Sequence, residues 1–200
     1  MTGMRHIYFI LVALVVWHLL LRKQRMVWVN GYRVKNEPDA RHASNLLDQL
    51  TTRIRLLLSS TDQAREPRIV RIKKRWNGTL AELDGGTSKN IAHSIGKRAI
   101  SICIRNPNGS LADENTCMYV IIHELAHIAT HSIGHTPEFW KNMRYLLEVG
   151  EATGAYHYTD HDKEHVMLCG RALGTNPMSC LKDKTCTSSL TQAPQKMVPT

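Results

Sequence analysis

The sequence predicts an α+β fold, a small β-sheet packed on helices, set behind an N-terminal membrane-seeking segment. Three observations predict it. Apolar residues recur at helical spacing over 39–58 and 113–131, alternating runs break at Asn-Gly and at Gly-Lys-Arg, and a continuous apolar run lies near the start of the chain. With 200 residues, 42 % of them hydrophobic, the chain can bury one domain-sized core but hardly two. The expected division is an anchor over 1–26, a folded domain over 27–175, and a disordered tail over 176–200, where apolar content is low.

Ile7 to Leu21 reads IYFILVALVVWHLLL, interrupted only by His18, and is followed by Arg22, Lys23 and Arg25. As a helix the run would cover roughly 22 Å at ~1.5 Å per residue, short of a ~30 Å hydrocarbon core, so Arg5 and Arg22 would have to snorkel. A basic cluster stands where a cleaved signal peptide would carry small residues, which favours a retained single-pass anchor. Three basic residues after the run outweigh Arg5 and the terminal amine before it, so the expected location of the downstream domain is cytoplasmic. On that side Asn77-Gly78-Thr79 and Asn108-Gly109-Ser110, which match the glycosylation pattern, read as Asn-Gly turns.

Val27 to Val34 alternates around Asn30-Gly31 and predicts a hairpin. A long helix over Asp39 to Leu58 would bury Leu46, Leu47, Leu50, Ile54, Leu57 and Leu58. Pro67 opens a short helix with Ile69, Ile72 and Trp76 on one face and Arg68, Arg71 and Arg75 on another. Thr79 to Asn90, rich in Gly, Asp, Ser and Thr, reads as a surface loop. Ile91 to Ile95 and Ala99 to Ile104 flank Gly96-Lys97-Arg98 as a second hairpin. Asp113 to His131 is a third helix with Met118, Ile121, Ile122, Leu125 and Ile128 as its stripe, ended by Gly134. Thr136-Pro137-Glu138 supplies cap, first-turn proline and early acid for a fourth helix, burying Phe139, Trp140, Met143, Leu146 and Leu147. Tyr156 to Leu173 carries no clear period. Five cysteines without a Cys-x-x-Cys pair argue against a disulfide framework and a thiolate zinc finger, and for a reducing compartment.

The stretch HELAHIATHSIGHTPEFW, His123 to Trp140, carries the chemistry. Residues four apart on a helix project to one side, so His123 and His127 can place two imidazole nitrogens on one ion at ~2.0–2.1 Å. Glu124 then sits beside them, able to take a proton from water without being a ligand. A catalytic zinc site needs a third protein ligand and an open position. His131, still helical, would lie roughly 12 Å along the axis from His123, too far to share an ion. His135, just past the Gly134 turn, is the better candidate. An acid on the next helix, Glu148 or Glu151, is the other solution, as in zincins that use a glutamate.

HELAH followed by His135-Thr136-Pro137-Glu138-Phe139 resembles the His-Glu-Leu-x-His and His-x-x-x-Phe pattern of the WLM-type and SprT/Spartan-like minimal zincins. The longer stretch, from VNGYRV through the apolar helix, SICIRN, the histidine block and Cys169-Gly170, resembles the small WLM-like metallopeptidase proteins of large DNA viruses of algae and protists. That resemblance spans roughly Trp28 to Pro177. It implies a zincin-like α+β fold, one zinc ion, and peptidase chemistry with His123, His127 and His135 as ligands and Glu124 as the catalytic acid/base. The third histidine lies two residues farther from His127 than in the usual WLM spacing, and a hydrophobic anchor is no part of the core pattern.

A membrane-tethered zinc endopeptidase acting on protein or peptide is therefore the leading expectation. Ala99 to Ile104, if at a sheet edge, would hold an extended substrate by strand addition. Tyr156, His157, Tyr158 and His161 are candidate oxyanion donors. The rival is a non-catalytic basic module with a structural metal site. A formal charge of +9 and the Arg68, Arg71, Lys73, Lys74, Arg75 cluster would let it bind nucleic acid or an anionic membrane. Aromatic residues of the kind that stack on single strands do not interleave with that cluster.

Overall fold

The alternating run closes into a hairpin, β1 (Met26–Val29) against β2 (Tyr32–Lys35), with Trp28 opposite Arg33 and Val27 opposite Val34. Asn30 and Gly31 both have positive φ, 49° and 80°, which a two-residue turn between twisted strands requires. The computed structural model describes residues 25–59, 66–84, 90–174 and 176–179, so the apolar run lies outside the described residues. Among those described, no helix is long and apolar enough to cross a membrane.

Val34 is fully buried beneath α1 (Ala40–Ser59), whose buried face includes Leu46, Leu47, Leu50, Ile54, Leu57 and Leu58. The basic helix α2 (Pro67–Arg75) starts with Pro67, is capped by the Glu66 carboxylate, and buries Ile69 and Ile72. The next stretch departs from expectation. Thr79 to Asn90 is not simply a loop, because it opens with β3 (Thr79–Glu82), which runs parallel to β5 with Leu80 beside Ile100 and Glu82 beside Ile102. Its four-residue alternation is hidden by the polar residues that follow, and its partner is contributed from a distant segment.

The second hairpin forms as expected from β4 (Ala92–Ile95) and β5 (Ala99–Ile102), giving the order β3-β5-β4. This corrects the expectation about the edge: β5 is the central strand and β4 the outer one. Glu82 ties the first hairpin to this sheet. Buried at 2 % exposure, its carboxylate accepts from the Lys35 backbone N–H at 2.8 Å and Arg105 Nε at 2.8 Å, while Arg105 also pairs with Asp39.

Helix α3 (Glu114–Ala129), capped by Asp113, runs through the core and touches α1, β4, β5 and α2. Helix α4 (Pro137–Thr153), capped by Thr136, packs along it and ends at Gly154 with φ 72°. Phe139, Met143, Leu146 and Leu147 are buried as expected, whereas Trp140 is only partly so. Beyond α4 come the short α5 (His161–Glu164) and the hairpin β6 (Met167–Leu168) with β7 (Arg171–Ala172).

Two expectations are corrected in this last region. Cys103, leaving β5, is disulfide-bonded to Cys169 in the β6–β7 turn, a separation of 66 residues. An odd cysteine count and the absence of close pairs could not reveal a bond between such distant positions. The expected tail boundary at 176 also falls early: Asn176 and Met178 are buried, and Asn176 Nδ2 donates to Tyr156 Oη at 2.8 Å. Residues 180–200 of the expected tail lie outside the described residues.

Candidate metal centre

His123 and His127 stand one turn apart near the C-terminal end of α3, and the chain must then reverse to bring in a third donor. Thr130 stops the helix. Its N–H and its Oγ1 both donate to the Ala126 carbonyl, at 3.0 and 2.7 Å. Past it, the Glu138 carboxylate at the start of α4 accepts from the backbone N–H groups of His131 (3.0 Å) and Ser132 (3.3 Å) and from Ser132 Oγ (3.0 Å). Gly134, with φ 83°, completes the turn in a conformation that only glycine adopts without strain.

The result is a convergence of three imidazoles. His123 Nε2 lies 3.2 Å from His127 Nε2 and 3.0 Å from His135 Nε2. One ligand atom from each lies within 4.8 Å of the other two, and this is the one such group among the described residues. Tetrahedral bonds of ~2.0–2.1 Å place neighbouring ligand nitrogens ~3.3 Å apart, so the spacing and the donor type both fit a zinc-like cation. Phe139 backs all three rings, with centroids 4.9 Å from His123, 4.3 Å from His127 and 4.7 Å from His135. Trp140 stacks on His135 at 5.5 Å and 29°.

Electrostatics favour neutral imidazoles with available lone pairs. Burial, then the neighbouring rings of His127 and His135, holds His123 well below its ordinary value. His127 is pulled down to about 4 by burial first, then by His135 and Lys97, and burial also lowers His135. Glu124 goes the other way. At 6 % exposure, burial pushes its carboxyl up to about 7, opposed by donors from the Ser94 side chain and backbone. Ser94 belongs to the edge strand β4, so the sheet itself orients the glutamate.

The basic residues have largely been turned inward. Arg71 Nη1 donates to the Ala129 carbonyl at 2.7 Å and Arg75 Nη1 to Ile128 at 3.3 Å. Lys97 Nζ donates to Thr130 at 2.8 Å and Ser132 at 3.4 Å. These cations satisfy the carbonyls left over at the C-terminus of α3, where the helix dipole attracts positive charge. Arg68 lies over the Tyr145 ring at 4.3 Å and pairs with Glu66.

Other expected residues are placed elsewhere. The His131 ring is exposed and outside the group, and Glu148 is exposed and paired with Arg144 at 3.0 Å. Tyr156 is fully buried, its Oη accepting from the Thr159 N–H and Asn176, while His161 bonds the Gly174 carbonyl at 3.0 Å and meets the Tyr119 ring edge-on. Tyr158 bonds Ser179, and the exposed His157 is tied through its backbone to Asn115. These four hold the C-terminal segment together. Sequence reasoning did not name Ser94, nor Phe139 as the common support of the rings. The His-x-x-x-Phe spacing was the available signal for the second, because residues at the start of α4 must face the turn that carries His135.

No protein-family profile matches the chain, and no solved structure is significantly similar to it. The relatives found among curated proteins are viral. An uncharacterized protein of Acanthamoeba polyphaga mimivirus is 27 % identical over 151 residues, covering 70 % of this chain and 75 % of that protein. An uncharacterized protein of Invertebrate iridescent virus 6 is 25 % identical over 140 residues, 63 % of this chain and 71 % of the relative. A third, from Invertebrate iridescent virus 3, reaches 36 % identity over 66 residues, which is 32 % of this chain and 42 % of that protein's length.

Proposed function

We propose that the chain is a membrane-tethered zinc endopeptidase of viral origin, similar to the WLM- and SprT-like zincins, with its domain on the cytoplasmic side. The observation that carries this reading is the convergence of His123, His127 and His135 beside a buried carboxylate. In this reading the three histidines hold one zinc ion, and Phe139 fixes the planes of their rings. Zinc, when bound, supplies Lewis acidity that lowers the pKa of water to about 7 and polarises a carbonyl. Glu124 accepts the proton of the attacking water and passes it to the leaving amine as the peptide C–N bond breaks. Ser94 keeps the Glu124 carboxylate in position by donating to it.

Substrate binding belongs to β4 rather than β5. The Cys103 N–H bonds the Ile91 carbonyl at 2.7 Å, and hydrogen bonding alternates along an antiparallel pair. Ala92 and Ser94 therefore turn their backbone groups away from β5; the Ser94 N–H is taken by Glu124, so an extended peptide can add as a strand through Ala92 and the Ser94 carbonyl. Backbone recognition of this kind is permissive in sequence.

The rival basic module, which would bind nucleic acid or an anionic membrane, has less to work with, because Arg71, Arg75 and Lys97 are spent on the carbonyls at the end of α3. It also gives no reason to bury Glu124 beside the histidines. Glu124→Gln separates the two readings. The amide keeps the carboxylate's shape and cannot take the proton, so the variant should retain its fold and one zinc per chain while cleavage of an unfolded protein substrate falls by at least about 10². Undiminished cleavage by a pure, zinc-loaded variant would remove Glu124 from the mechanism.

A further inference from the structure

The outer face of the first hairpin takes no part in the core. Side chains alternate along a strand, so Val27, Val29 and Val34 turn inward while Trp28 and Arg33 stand on the other side as a direct cross-strand pair. Trp28 is 69 % exposed. Together with Arg25, Met26 and Asp84, these two residues line an open groove of about 620 Å³. Two guanidinium groups face one carboxylate there, and among the described residues neither Arg25 nor Arg33 forms an ion pair. The exposed indole has an apolar ring and a polar N–H, and it stands beside two arginines that form no ion pair among the described residues.

Chain connectivity identifies what this face meets. The apolar run ends at Leu21, four residues before Arg25, with Arg22 and Lys23 between them. Four extended residues reach at most ~14 Å, and the polar layer of a leaflet is roughly 5–8 Å deep. With the run embedded, Arg25 stays within about 6–9 Å of the headgroup layer, so the hairpin is held beside the lipid surface.

We propose that the outer face of β1–β2 is a docking site for an anionic phospholipid surface, with Trp28 at the headgroup level and Arg25 and Arg33 on lipid phosphates. Indole rings partition to that level, and each basic side chain near an anionic leaflet shifts the docked population about fivefold. This inference rests on the membrane anchor of the proposed function. The hairpin abuts β3, and the order then runs β3-β5-β4, so Glu124 and the histidines lie at the far end, on the order of 15 Å away at ~4.8 Å per strand. Docking would hold the site away from the bilayer, toward substrates in the water phase.

The test uses the full chain reconstituted in vesicles, with Trp28 isolated as the difference between wild type and Trp28→Phe. In phosphatidylserine-containing vesicles its emission should be blue-shifted and severalfold less quenched by aqueous acrylamide than in pure phosphatidylcholine. Arg25→Gln with Arg33→Gln should lower the docked-to-free ratio about 25-fold while the chain stays resistant to carbonate extraction. Equal acrylamide access in both vesicle types, in a carbonate-resistant chain, overturns the docking face and leaves the anchor standing. Extraction of the full chain by carbonate overturns both.

Discussion

His135 reaches the candidate centre by a turn pinned by the Glu138 carboxylate, and this gives it testable consequences that its neighbour lacks. The Glu138 carboxylate holds the His131 and Ser132 backbone, so the chain past Gly134 presents the His135 ring while the His131 ring stays exposed. His135→Ala should lower zinc content severalfold as read by metal analysis, and His131→Ala should leave it unchanged; the opposite pattern would disprove the assignment. A pH prediction follows from the lowered histidines. His127 is near 4 in the folded chain against 6.5 unfolded, so the unfolded state binds more protons between those values. Its stabilising contribution is complete above 6.5 and is lost as pH falls toward 4, and His123 and His135 shift in the same direction. Glu124 opposes them: raised from 4.5 to about 7, it favours the folded state on acidification. Three histidines outweigh one carboxylate, so metal-free protein should become easier to unfold with urea as pH drops from 6.5 to 5. A stability that rises over that interval would refute the picture of buried neutral imidazoles. At this scale His123, Glu124 and His127 were legible because helical spacing alone places them. Ser94 was not, since its role depends on the edge position of β4, which the spacing of residues does not reveal.

Helix α3 is the element on which the others converge, and its C-terminus explains why a short helix such as α2 is so basic. Arg71 and Arg75 face the Ala129 and Ile128 carbonyls across the packing of α2 on α3, while Lys73 and Lys74 remain exposed. Removing a charged donor from a buried carbonyl costs about 1–3 kcal/mol, whereas an exposed charge away from partners contributes within about 0.5 kcal/mol. Arg71→Met should therefore lower the unfolding midpoint clearly and Lys73→Met should not. Similar effects from the two changes, by thermal melts at equal zinc occupancy, would mean that the carbonyl contacts carry no stability. The sequence showed α1, α3 and α4 through their apolar periods and caps. It concealed β3, where the alternation of Thr79, Leu80, Ala81 and Glu82 is too short to stand out before a polar stretch and where the parallel partner β5 comes from beyond β4. It also concealed α5, β6 and β7, which bury little and are held by the Cys103–Cys169 bond and by His161 on the Gly174 carbonyl.

For the whole molecule, two features pull toward opposite compartments, and their physics differs in a way that ranks them. If the chain is membrane-tethered as proposed, the basic cluster after Leu21 acts while it inserts, when charge decides which flank crosses the bilayer. The Cys103–Cys169 bond needs only an oxidant at some time after the domain has brought the two thiols together. On that proposal insertion comes first and is not reversed by later oxidation, so a cytoplasmic placement of the domain is predicted. The two Asn-Gly turns report on it well. Asn77 and Asn108 are both exposed at their tips, and among the described residues their side chains bond to the local Thr79 and Ser110, so a glycosyltransferase would find either one accessible. In a microsomal translation assay the full chain should resist carbonate, its domain should be digested by added protease, and both asparagines should remain unmodified. In that placement Cys103 and Cys169 should react with thiol reagents in intact cells and pair only after oxidation. Closing a loop of 66 residues should then stabilise the domain by about 4 kcal/mol through the unfolded chain, read as a higher midpoint in oxidised than in reduced samples. Glycan on Asn77 or Asn108, with the disulfide already formed during translocation, would place the domain in the lumen and reverse the order of these two influences.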